Sequence, residues 1–154
     1  MPRIKSLELD AESHRKYLRR QIASLKRTDP KAGKNYESFI NKLLLLFSDN
    51  PPTSWRFAVT TYRYATFRVF NKRTGRLNDF LRVYPEWGMA ITPSLTDERF
   101  RQLFPSKGAY YGTGDDVRID FSGFNQRKQE EYLVALKSII ASNPYLTLDF
   151  AARI

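Results

Sequence analysis

An α+β fold, with an antiparallel β-sheet packed against two N-terminal helices and a long C-terminal helix, is predicted by three features of this sequence. Apolar residues recur with helical spacing near both ends, over 9–27, 35–48 and 125–142. Between them, 55–94 is rich in aromatic and β-branched residues in short runs bounded by turn residues. No repeat, low-complexity tract or dividing linker interrupts the order, so 1–154 reads as one domain. Within it, 1–34 is a basic helical arm, 35–143 an α+β core and 144–154 a tail.

The first helix begins behind Asp10, with Glu12 in its first turn. At 100° per residue Ala11, Leu18, Ile22 and Leu25 share one stripe, with His14 and Gln21 at its edge. His14 is expected on the helix surface. Pro30 and Gly33 mark a break over 28–35, and Asn35 is placed to cap a second helix. Tyr36, Phe39, Ile40, Leu43, Leu44 and Phe47 give that helix the stronger apolar face. The run 55–70 alternates, but slips near Thr60 and Thr61, which implies a bulge or two strands. A turn around Gly75 leads to a partner strand over 77–85, and Met89 to Ser94 supply another short strand. A short helix is expected over 96–104 behind Thr96. Residues 107–121 read as a hairpin about Gly112–Gly114. The clearest helix follows, with Tyr132, Leu133, Leu136, Ile139 and Ile140 on its apolar face.

Composition narrows the function classes. Lys and Arg number 26 against 16 Asp and Glu, a net charge of +10. That exceeds the roughly 2–8 recommended for a small domain, and it favours polyanionic partners. Cysteine is absent, which excludes disulfides and thiolate metal sites. The single histidine, His14, excludes multi-histidine metal centres. The N-terminus lacks the apolar segment of a signal peptide, and no apolar run reaches membrane-spanning length. The expected location is cytoplasmic, or nuclear in a eukaryotic or viral setting. No complete catalytic set or cofactor motif emerges, so no residue is assigned as catalytic or metal-ligating.

The stretch KGAYYGTGDDVRIDF, 107–121, admits three readings. A glycine turn can present N–H groups to an anion, but GTG is shorter than a P-loop and no Lys-Ser/Thr follows it. Asp115, Asp116 and Asp120 are carboxylates placed for a metal-dependent nuclease; Asp116 and Asp120 would share one strand face. Gln126 and Lys128 add a Q-x-K, though at a helix start where restriction-type nucleases carry it on a strand. In the third reading the glycines make the turn, the acids pair with nearby cations, and Val117, Ile119 and Phe121 pack inward.

The pattern of Gly108, Tyr110 or Tyr111, Gly112, Thr113, Gly114 and Asp115, then Val117 and Ile119, resembles the conserved end of the DUF5655 family of uncharacterised prokaryotic proteins. The preceding helix and aromatic strands keep a similar order, so the resemblance covers about 36–142. Residues 86–106 depart from it. The family has no assigned activity. Its association with nucleases and restriction systems implies nucleic acid as the partner class.

Two surfaces suit such a partner. Residues 1–34 hold ten Lys and Arg against four acids. On the first helix Arg15, Lys16, Arg19, Arg20, Lys26 and Arg27 fall on an arc of roughly 140°, placed to track phosphates. Lys31 and Lys34 extend it. The second surface is the strand region 62–82, where Tyr62, Tyr64, Thr66, Arg68 and Phe70 share a face with rings able to stack on bases. Its turn adds Lys72, Arg73 and Arg76. The sequence therefore predicts a small basic protein that binds DNA or RNA mainly through phosphate, with weak sequence specificity. An acidic protein or a second copy of the chain is the alternative partner, the latter through an exposed Leu18–Ile22–Leu25 stripe. A membrane surface suits it least, because the first helix lacks large aromatic anchors.

Overall fold

The computed structural model describes residues 11–49, 55–59, 64–71, 76–91 and 116–142. Helices α1 (Ala11–Thr28) and α2 (Pro30–Asp49) precede strands β1 (Trp55–Val59), β2 (Ala65–Asn71), β3 (Arg76–Tyr84) and β4 (Gly88–Ile91). Strand β5 (Asp116–Arg118), a 3-10 turn (Phe121–Gly123) and helix α3 (Gln126–Ser142) follow. The strands form one five-stranded sheet in the order β1-β2-β3-β4-β5, each pair antiparallel. The predicted α+β class, with two N-terminal helices and one C-terminal helix, is the observed one. The expected helix 96–104, the turn about Gly112–Gly114 and the tail lie outside the described residues.

The junction between α1 and α2 is tighter than the sequence suggests. Asp29 alone interrupts the helices. Its carboxylate accepts the Ala32 N–H at 3.0 Å, and Pro30 takes the first helical position, where a missing N–H costs nothing. Asp29 is thus the cap expected at Asn35. Asn35 lies inside α2, and its amide donates instead to the carbonyls of Phe121 (2.8 Å) and Ser122 (3.3 Å). Gly33 does not break the helix; it lets α1 approach. A Cβ there would stand 2.9 Å from the Lys26 backbone N and Cα.

α1 is built into the core. Leu18 and Ile22 are buried in the same cluster as Phe39, Ile40, Leu43, Phe67, Leu81 and Leu136, with Leu25 packed against it. The stripe that would have served a second copy of the chain is therefore covered from within. His14 corrects the expectation of a surface position: it is 4% exposed, and its Nδ1 accepts the Val59 N–H at 3.2 Å. The apolar stripe extends past its predicted edge because α1 lies against β1.

The alternating run 55–70 resolves into two strands, β1 and β2, with Val59 opposite Ala65. Between β2 and β3 the register shifts, with Phe67 opposite Leu81 but Arg68 opposite Asp79. Phe80 is the extra, bulged residue, itself buried. Ala65, Phe67, Leu81, Val83, Met89 and Val117 form the inner face, each essentially unexposed. Gly88 opens β4 with φ 144°, and a Cβ there would meet the Val117 carbonyl at 2.1 Å, so only glycine fits.

The segment after β5 closes the core. Phe121 and Phe124 insert toward α2 and α3, making edge-to-face contacts with Tyr36 (5.3 Å) and with Phe39 and Tyr132 (each 4.9 Å). Asn125 caps α3 by accepting the Lys128 N–H at 3.0 Å. Gln129, fully buried in α3, donates to the Phe124 carbonyl (2.8 Å) and accepts from Ser38 (2.9 Å). The Ser122 hydroxyl donates to Asp29, which together with the Ala32 N–H holds that carboxyl below its ordinary pKa.

Candidate nucleic-acid interface

The burial of one side of α1 determines what the other side can do. Arg15, Lys16, Arg19, Arg20, Lys26 and Arg27 are all exposed, as are Lys31 and Lys34 at the start of α2. The structure brings the predicted helical set to one solvent face. Arg15 and Arg19, and likewise Lys16 and Arg20, stand one turn apart, about 6 Å along the axis. Lys26 is partly committed, since its ammonium meets Glu37 at 2.9 Å with both side chains near half exposed. Lys26 and Arg27 also close the last turn of α1, where positive charge complements the helix dipole. Lys72 and Arg73 lie outside the described residues, between the register partners Asn71 and Arg76.

The acidic residues of 107–121 divide. Asp115 lies outside the described residues, and Asp116 is placed only by its pairing with Ala90. Asp120 is exposed and accepts the Ser122 N–H at 3.2 Å, so it caps the 3-10 turn. Val117, Ile119 and Phe121 point inward as the third reading requires. The Q-x-K residues open α3, where Gln126 hydrogen-bonds Lys42 and Ser38. Among the described residues no three potential metal ligands come together. A cavity of about 320 Å³ near the end of β5 sets Arg118 and Lys128 against Asp120 and Glu131, a balance that selects no single ligand charge.

The outer face of the sheet holds a constellation that sequence reasoning only half found. Asp79 accepts from Thr66 (2.8 Å) and Arg68 (2.5 Å) through one oxygen and from Arg82 (2.6 Å) through the other. Burial alone would raise the Asp79 carboxyl. The hydrogen bonds from Arg68 and Thr66, with the charges of Arg68 and Arg82, outweigh it and hold the group below its ordinary value. Arg82 lies 5.1 Å from the Tyr64 ring centroid and donates weakly to the Tyr84 hydroxyl at 3.5 Å. Burial works against its charge, but Tyr84 and Asp79 raise its pKa overall. Tyr84 in turn contacts Tyr64 (5.0 Å) and stacks on Trp87 (4.5 Å between centroids, 21° between planes).

Thr66, Arg68 and Tyr64 were expected on this side; Asp79 was not. In a regular strand Asp79 and Leu81 would face the same way. The bulge at Phe80 turns Asp79 outward to the arginines while Leu81 stays in the core. The sequence signal was an acid within a run of Arg-bearing strands, which means little until the register is known.

No protein-family model, curated protein or solved structure matches this chain.

Proposed function

We propose that this protein binds nucleic acid through the phosphate backbone, with the cationic face of α1 as the main contact. One observation carries the reading. The apolar side of α1 is consumed by the core while every predicted basic residue on the helix is exposed. A helix seated this firmly presents its guanidinium and ammonium groups from a rigid support, which lowers the ordering cost of each phosphate contact. Lys31 and Lys34 continue the surface, and Lys72, Arg73 and Arg76 add a second cationic group on the strength of their sequence. Contacts of this kind set position and affinity but read little sequence.

The test is binding of labelled DNA and RNA, each single- and double-stranded, across a salt series. If about four phosphates are neutralised, affinity falls roughly a hundredfold between 50 and 200 mM salt. The combined variant Arg15→Glu, Arg20→Glu and Arg27→Glu removes most of that dependence while the protein stays folded. No binding at 50 mM salt, or equal displacement by an acidic polypeptide, overturns the reading in favour of a protein partner.

A further inference from the structure

We infer that the outer face of the sheet is a contact surface for unpaired nucleotides, so that the preferred ligand is single-stranded nucleic acid. This inference rests on the proposed function and narrows its substrate.

Register places the parts. Arg82 pairs with Ala90, and Tyr84 with Gly88, which pairs onward with Arg118. The outer face of β4 therefore carries only Gly88 and Ala90, the two smallest residues. They lie between Arg82 and Tyr84 on β3 and Asp116 and Arg118 on β5. Across two strand spacings the flanking backbones stand about 10 Å apart. The result is a strip of small residues with Arg82 and Arg118 set diagonally across it, Asp116 opposite Ala90, and the Tyr64–Tyr84–Trp87 ring series at one side.

The chemistry of the edges names the occupant. Arg82 keeps 42% of its side chain exposed, and Arg118 is exposed. Two arginines, Arg68 and Arg82, share the single carboxylate of Asp79, which leaves net positive charge on that cluster. Guanidinium beside partly exposed rings is the combination that takes a phosphate and the π-face of a base together. In a duplex those faces are already stacked on their neighbours, so an unpaired strand gains the ring contacts and a duplex does not. An acidic peptide would use the cations but leave the rings without a partner.

Fluorescence reads this surface directly. Trp55→Phe leaves Trp87 as the one tryptophan, and circular dichroism confirms the fold. Titration with oligo-dT and oligo-U is expected to quench Trp87 saturably, whereas a duplex of equal charge binds about tenfold more weakly and quenches little. With both tryptophans present, Trp87→Ala and Arg118→Gln, read by anisotropy, are each expected to reduce single-strand affinity about tenfold and duplex affinity by less than threefold. Two outcomes overturn the inference: Trp87 emission unchanged by a bound single strand, or variants that weaken both ligands equally. Neither touches the α1 reading. Conversely, if the α1 triple-Glu variant binds as the parent does while Trp87 is still quenched by single strands alone, the α1 reading falls and the sheet surface stands.

Discussion

The cationic face of α1 and the cationic face of the sheet carry the same residue types and put them to different use. On α1 the charges stand on exposed side chains whose helix is anchored by the opposite face. On the sheet, Arg68 and Arg82 converge on one mostly buried carboxylate, with Thr66 completing the set. Removing a charge from α1 leaves a solvated surface. Removing one from the sheet leaves its partners in a region with little water to replace it. Exposed charge on α1 can turn to a ligand at little cost to the fold, whereas built-in charge serves the fold first.

The largest effect expected of this difference is at Asp79. Asp79→Ala strips the shared counter-charge from two guanidinium groups, and urea denaturation at pH 7 is expected to show a loss of about 2–3 kcal/mol. That falls below the roughly 3–5 for a fully buried pair because Arg82 is substantially exposed. The pH dependence has a definite sign. The folded-state pKa of Asp79 is depressed. Its contribution is therefore complete above the unfolded value near pH 4 and fades as pH falls through the folded value. The gap between parent and variant should close on acidification. A gap that widened would refute the network.

Gly33 tests how α1 is seated. Gly33→Ala sets a methyl group against the Lys26 backbone, so α1 must move, at a cost of about 1–3 kcal/mol. Its binding defect should exceed what the lost stability alone produces, because the face of α1 turns with it. A variant with unchanged stability and unchanged binding would show that the helices are not held in contact there.

Asp29→Ala removes the α2 cap and the bond to Ser122, and is expected to lower the urea midpoint by less than Asp79→Ala does in the same denaturation assay. Smallest of all are Arg15→Ala and Arg20→Ala, each within about 0.5 kcal/mol of the parent. Each should still weaken nucleic-acid binding and flatten its salt dependence. If either of these proved as destabilising as Asp79→Ala, the distinction between the two surfaces would collapse.

Much of the fold was legible because its signals are local. The apolar spacing of Leu18, Ile22 and Leu25, and of Tyr132, Leu133, Leu136 and Ile139, marks helices whose buried sides are the observed ones. The aromatic strands, the slip that divides β1 from β2, and the inward side of Val117, Ile119 and Phe121 were legible for the same reason. The errors arose where a short-range rule had two solutions. Asp29 and Asn35 are both good capping residues, and Pro30 suits a first helical position as well as it suits a break. Only the docking of Phe121 and Ser122 decided that Asp29 would cap and Asn35 would reach across.

By itself the sequence determined most of the described helices and strands, the α+β class and the partition of α1 into an apolar and a basic side. Each of these follows from periodicity within one segment. Tertiary structure alone decided three things. His14 is buried because α1 lies against β1, where the Val59 N–H needs an acceptor. Asp79 faces the arginines because the sheet accommodates one extra residue at Phe80. Arg82 and Tyr84 share a face with Asp116 and Arg118 because register sets Gly88 and Ala90 between them. Each depends on which distant residue lies opposite, and a one-residue change of pairing would reverse the face of every side chain beyond it.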